Sequence, residues 1–131
     1  MRGNVEIVQV LVEGLQRGDA GPVRAACDPG LEWHPAADEL EAGAHAGVDA
    51  ALALWADWRS AFDGFRAEPL EFVAAADSVV VPLRFRGRLR GSETEATIEE
   101  THVYRLRGGK VVEVRAYRTR AAAMEAAGAE E

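Results

Sequence analysis

The chain has 131 residues, of which 48% are apolar and 28% charged, with a formal net charge of -7. That is the length of one domain with one core, and a composition too apolar for a disordered chain. The acidic balance argues against a nucleic-acid partner, which needs clustered Lys and Arg, and no run approaches the ~20 apolar residues of a membrane span.

The first residues, Met-Arg-Gly-Asn, lack the apolar stretch of a secretory signal, so the expectation is a cytoplasmic protein with a single domain over residues 1–131. The lone cysteine, Cys27, excludes an internal disulfide and reads as a small buried apolar residue.

Val5, Val8, Leu11, Val12 and Leu15 recur at helical spacing, predicting a helix over Asn4 to Gln16 that ends at Gly18. Asp19 reads as the N-cap of a short second helix reaching Ala26. Asp28-Pro29-Gly30 is a turn signal before a short strand, "LEWHP". Ala36 to Gly47 has no clear period and reads as a loop. Val48, Leu52, Trp55, Trp58 or Arg59, and Phe62 trace a third helix, stopped by Asp63-Gly64.

Four strands then follow, Phe65–Ala75, Val79–Leu89, Thr94–Leu106 and Val111–Tyr117, separated by turn residues. Pro69 and Pro82 mark edges or bulges. A final helix, "RAAAMEAAG", ends at Gly128. Helices first and a meander afterwards predict an α+β domain, with helices covering one face of a curved antiparallel sheet.

The last hairpin, "TIEETHVYRLRGGKVVEVRAY", decides which residues face the helices, because a slip of one residue exchanges the faces. A two-residue turn at Gly108-Gly109 pairs Arg107 with Lys110. A type I turn with a glycine bulge pairs Leu106 with Lys110, and so His102 with Val114. The side-chain pattern favours the bulge. One face then carries Ala96, Ile98, Glu100, His102, Tyr104 and Leu106 with Val112, Val114 and Ala116, and the other face is mostly charged. Val79, Val81, Leu83 and Phe85 join the first face, while Arg84, Arg86, Arg88 and Arg90 lie on the side of Glu93, Glu95 and Glu99. Those arginines read as cross-strand ion pairs on an outer surface or a subunit contact.

A carboxylate, an imidazole and a phenol on the covered face need partners, since an unpaired ionised group in an apolar interior costs several kcal/mol. Two readings stand side by side. In one, Glu100, His102 and Tyr104 form a buried network or line a cavity without chemistry. In the other, His102 is an acid or base, Glu100 orients it, and Tyr104 stabilises a substrate oxyanion. Trp33 is either core or pocket wall, Trp58 either core or apolar wall, and His45 sits in the loop where a cavity mouth would be. Residues 34–45, with two histidines and several acids including Asp38 and Glu39, show no compact metal-ligand spacing, so neither metal nor cofactor is expected.

"NVEIVQVLVEGLQRGD", "LEWHPAADELEAGAHAGVDA", "FRAEPLEF", "VYRLRGGKVVEVRAY" and "RAAAMEAAG" occur in an order and spacing that resembles SnoaL-like proteins of the nuclear transport factor 2-like superfamily. The resemblance covers Asn4 to Gly128. It implies a cone-shaped curved antiparallel sheet with the N-terminal helices on its concave face and a pocket for a small apolar ligand. It also implies a homodimer through the outer sheet face. Members include polyketide cyclases, ketosteroid isomerases, epoxide hydrolases and dehydratases. The histidine and aspartate of cyclase-type members fall at Val114 and Ala116 here, so that pair is absent. The inward residues that remain, His102 and Tyr104, point to a cofactor-independent enzyme acting on a small apolar carbonyl compound. The other reading is a non-catalytic binding or dimerisation module of the same fold.

Overall fold

The computed structural model describes residues 3–36 and 45–129. The elements run α1 (Asn4–Arg17), α2 (Ala20–Ala26), β1 (Cys27–His34), β2 (His45–Ala46), α3 (Val48–Ala61), β3 (Phe62–Pro69), β4 (Val73–Ala75), β5 (Ser78–Leu89), β6 (Glu95–Arg107), β7 (Lys110–Tyr117) and α4 (Arg120–Ala127). The α+β architecture is as expected, with an open sheet in the order β2-β1-β7-β6-β5-β3 and β4 also paired to β5. The sheet is mixed rather than purely antiparallel, because β1 runs parallel to β7. Parallel pairing needs a long connection, and everything from β2 through β6 supplies it. No helix among the described residues is long and apolar enough to cross a membrane.

The α1 stripe buries Ile7, Val8, Leu11, Val12 and Leu15 against the sheet. Its end shows why glycine stands at 18. Gly18 is left-handed (φ 72°), and Asp19 N–H returns to the Gly14 carbonyl at 2.9 Å. Arg59 of α3 donates to the Leu15 carbonyl at 2.7 Å, and a Cβ at position 18 would meet that guanidinium at 2.8 Å.

Besides the short strand β2, which lies within the expected loop over Ala36 to Gly47 because it pairs with β1, three element boundaries differ from the sequence-based expectation. The α3 helix ends at Ala61, and Asp63-Gly64 lies inside β3, where a register shift and a left-handed Gly64 (φ 65°) form a bulge rather than a helix stop. The expected strand over residues 65–75 is two strands, β3 and β4. The Asp28-Pro29-Gly30 turn is an irregularity within β1, with Asp28 Oδ1 accepting the Gly30 N–H at 2.8 Å.

Pro82 sits mid-strand without loss of a ladder bond. Its carbonyl accepts from Leu70 N–H at 2.8 Å, so its nitrogen also points to the β3–β4 side, where the neighbouring strand is broken, and the β5–β6 ladder needs nothing from it. Pro69 is the last residue of the edge strand β3. Farther back along that edge, Gln16 Oε1 accepts from Ala67 N–H at 2.6 Å and ties β3 to α1.

The β6–β7 hairpin corrects the expected turn. Arg107 pairs with Lys110 across Gly108 (φ 60°) and Gly109 (φ 78°), the two positive φ angles of a type I′ turn. One bulge follows at Val112, so Val111 and Val112 are both buried, and Val111 rather than Val112 joins Leu106 in the main core. Beyond the bulge His102 pairs with Ala116, not Val114. The face assignment is unchanged, since the strands are displaced by two residues and not one. Position along the strand is not.

On the inner face, Val79, Val81, Leu83, Tyr104 and Leu106 pack with α1 and α3 in one core. The outer face is not all charged. Val80 and Val103 are covered by Ala123 and Met124 of α4, a second small core. Thr119 caps α4 by accepting from Ala122 N–H at 3.1 Å. Met124→Ala should cost about 2 kcal/mol in denaturant unfolding, the low end for a buried Met in a small cluster, with the unfolding slope unchanged.

Candidate functional site

The register of β6 places Glu100, His102 and Tyr104 on one line of the inner face, opposite Leu83, Val81 and Val79 of β5. Leu83, Val81 and Val79 are fully buried, so each polar side chain sits among apolar neighbours. On the other flank His102 faces Ala116 of β7, a small residue that leaves space for an imidazole.

The three groups satisfy one another. His102 Nε2 lies 2.9 Å from Glu100 Oε1, and His102 Nδ1 lies 3.4 Å from the Tyr104 hydroxyl. Burial, helped by the neighbouring Cys27 and Glu100, pushes the Tyr104 phenol far above its ordinary range, so it keeps its hydrogen. An ionised carboxylate only accepts, so the hydrogen between Nε2 and Glu100 is placed on Nε2 and the Tyr104 hydroxyl is left to donate to Nδ1, a tautomer assigned from the hydrogen-bond geometry. Burial also pushes the Cys27 thiol up to about 12, against the pull of Lys110, in keeping with an inert buried cysteine.

Beside this line lies a cavity of about 390 Å³. Trp58, Phe62, Phe65 and Phe85 supply aromatic walls, and Gly87, Ala96 and Ile98 supply the sheet side. Its polar groups are Glu100, Arg86 and Arg118. Arg86 is ion-paired with Glu68 at 2.6 Å and Glu95 at 3.7 Å. Arg118 Nη1 stands 3.8 Å from Glu100 Oε2, the oxygen not used by His102.

Of the six residues singled out from sequence, Glu100 and Trp58 line this cavity. His102 and Tyr104 are fully buried behind Glu100 and are not among its lining residues. Trp33 is buried with them, its ring edge-on to His102 at 5.5 Å and to Tyr104 at 6.4 Å, and its indole N–H meets no hydrogen-bond acceptor among the described residues. His45 lies on the edge strand β2 opposite Trp33, on the far side of the sheet from β3, and is not among the lining residues. Asp38 and Glu39 lie outside the described residues.

Sequence reasoning missed Arg118, and the hairpin explains why. Thr101 pairs with Tyr117, so the next residue after β7 comes level with Glu100. The expected register would have put Ala116 at that level instead. Two left-handed glycines followed by two adjacent core valines were the signal for the observed turn.

The outward side of β1 and β7 holds one group of metal-type donors among the described residues. Glu32, His34 and Glu113 bring ligand atoms within 4.8 Å of one another. Arg115 donates to Glu113 at 3.0 Å and Arg105 stands 3.8 Å from it, so the charge of that carboxylate is already shared with two guanidinium groups. On the same outer side, Arg84 pairs with Glu99 at 3.6 Å and Arg86 with Glu95, the cross-strand pairing expected from sequence.

An open mixed sheet packed on one face by three helices, with a polar line and an aromatic cavity beneath them, defines an α+β fold. The chain belongs to the SnoaL-like domain family, whose model matches residues 8–114. No curated protein matches it. Among solved structures, it is similar to an NTF2-like protein from Burkholderia thailandensis, at 24% identity and a TM-score of 0.80, over 95% of this chain and 98% of that one. A protein from a Jannaschia species assigned as a SnoaL-like polyketide cyclase is 25% identical with a TM-score of 0.74, over 98% and 93% of the two chains. A protein of ketosteroid isomerase-like fold from Catenulispora acidiphila, solved with trimethylamine, is 13% identical with a TM-score of 0.73, over 95% and 94%.

The tautomer can be read directly. Ring nitrogen shifts of His102 should show hydrogen on Nε2 and a bare, hydrogen-bonded Nδ1. In Tyr104→Phe the Nδ1 resonance should move to that of an imidazole nitrogen without a donor. An Nδ1–H signal in the unaltered protein would overturn the assignment.

Proposed function

We propose that the protein is a cofactor-independent enzyme that moves a proton on a small apolar carbonyl compound held in the aromatic cavity. The observation that carries this reading is Glu100, a carboxylate on the cavity wall with one oxygen tied to His102 and the other on the side of Arg118. Glu100 would take a proton from the carbon next to the carbonyl. The C–H electron pair becomes the C=C bond of an enolate, and the negative charge gathers on the carbonyl oxygen, beside Arg118. Return of the proton to the same or another carbon regenerates the carboxylate.

His102 and Tyr104 are then positioning residues. His102 fixes the Glu100 carboxylate and Tyr104 fixes the ring of His102. This allocation, rather than His102 as proton carrier with Tyr104 at the oxyanion, is supported by the complete burial of both behind Glu100. Trp58 and Phe85 serve as apolar walls. The assignment of the Jannaschia relative as a polyketide cyclase agrees with carbonyl chemistry in general.

A second reading has a specific observation in its favour. Glu100, His102 and Tyr104 satisfy each other, as they would in a binding module that does no chemistry. Deuterium exchange separates the two. In heavy water the protein should speed incorporation of deuterium next to the carbonyl of straight-chain methyl ketones. Glu100→Gln should lose at least ~100-fold of that acceleration while still binding them. No acceleration by the unaltered protein, with binding intact, would favour the module.

The assembly that goes with this reading is a homodimer through the outer sheet face. It is supported by the array of charged side chains that α4 leaves open there. Arg115→Glu should lower the dimer fraction in sedimentation velocity, and an unchanged sedimentation coefficient would count against that face.

A further inference from the structure

The cavity exists because of one cross-strand pair. On the inner face β5 and β6 present the pairs Leu83–Glu100, Phe85–Ile98 and Gly87–Ala96 in succession. The third pair is small on both strands, between large neighbours, and both of its members line the cavity. Gly87 is not left-handed, so conformation does not demand glycine there. Space does. A Cβ on Gly87 would come 2.8 Å from the Phe62 Cβ and 3.3 Å from its Cγ, so the Phe62 ring lies directly on bare backbone.

The cavity is therefore long and has unlike ends. Glu100 and Ala96 are four residues apart on one strand, a separation of ~13 Å at the ordinary rise. Glu100 and Arg118 sit at one end, and the third charged lining residue, Arg86 beside Gly87, is held by Glu68 and Glu95. The other end is lined by Phe62, Gly87 and Ala96. A ligand with one oxygen-bearing end and an unbranched or narrow apolar body fits that shape, whereas a compact, evenly polar one does not.

We infer that the Gly87–Ala96 pair sets the length of the apolar tail the cavity accepts, which makes the ligand class an elongated carbonyl compound with a single polar end. This rests on the proposed role of Glu100 for the orientation of the ligand, but not for its length limit. Tail carbons are gained in order from the Glu100 end, each strengthening binding until the tail meets Phe62 and the small pair.

The test is a binding ladder of straight-chain methyl ketones from butanone to dodecanone, measured by calorimetry or by protein-detected resonance shifts. Affinity should rise ~fourfold for each methylene and then stop rising at a defined length. Ala96→Leu fills the far end, opposite Gly87. It should move the break to shorter ketones and weaken the longer ones by ~fourfold for each methylene excluded, with the smallest effect on butanone. If Ala96→Leu does not fold, judged by its melting curve, Ala96→Val adds less volume on a residue type that favours strands and should move the break less far.

A flat ladder, or a break that stays in place in the folded Ala96 variant, overturns the inference. The proposed chemistry fails separately. A break without any deuterium exchange would leave the length limit standing and remove Glu100 as a proton carrier, whereas exchange without a break would do the reverse.

Discussion

The register of the β6–β7 hairpin is the constraint on which the rest of the structure depends. Two consecutive left-handed glycines make a turn whose twist matches the strands, and the bulge at Val112 then moves the pairing by one further residue. From that point His102 lies between Val81 and Ala116, Tyr104 between Val79 and Val114, and the chain leaves β7 level with Glu100. A hairpin with the pairing displaced by two residues would bury the same faces. It would set Val114 against the imidazole and carry Arg118 one pair farther from Glu100. The position of the arginine is thus fixed by turn chemistry some ten residues away.

A line of three polar side chains through an apolar core is costly unless each member is paired, and here the pairing has a direction. Tyr104 can donate but, with its hydrogen held by burial, not ionise. It gives to His102, and His102 gives to Glu100. The chain of donors ends on the one member that reaches the cavity. On the proposed function this arrangement would join stability to chemistry, because the groups that make Glu100 tolerable in the interior also orient the oxygen on the side of Arg118. Removing His102 would therefore leave a poorly satisfied carboxylate as well as a void, so loss of activity and loss of stability come together at that residue. Substituting Glu100 itself by its amide separates them better, since the amide keeps the shape and an acceptor for Nε2–H.

Much of this was legible in the sequence, for stated reasons. Helical spacing gave α1 and α3, alternation gave β5 and β6, and the two faces of β6 followed from the same alternation, so Glu100, His102 and Tyr104 were turned inward correctly. What failed were features that alternation does not encode. Beyond the bulge a displacement by two residues preserves every face, so alternation there could not distinguish the observed hairpin from the expected one, and only the adjacent Val111 and Val112 differ. The arginine at 118 was hidden by that degeneracy. The parallel pairing of β1 with β7 depends on contacts distant in sequence, and the α4 helix on the outer face depends on Val80 and Val103, which look like lapses in a charged pattern. His102 looked like the natural acid or base because of its residue type, while depth along the strand, not type, determines which group meets the cavity.

The two ends of the sheet are stabilised by different means, and this explains where the cavity lies. At the β5 start and β6 end, apolar side chains are covered on both faces, by α1 and α3 within and by α4 without. At the opposite end β5 and β6 run on past β7, the inner face holds the small Gly87–Ala96 pair, and Leu89 and Ile98 are about half exposed. That end cannot rely on packing from within. It is held instead by the β5–β6 ladder and, on its outer side, by Arg84–Glu99, Arg86–Glu68 and Arg86–Glu95. Single exposed ion pairs stabilise by under ~1 kcal/mol, but a row of them along paired strands needs no apolar surface on the inner side. Placing charge outside lets that end hold together around a cavity, so the arginine row is tied to the site through the sheet it braces.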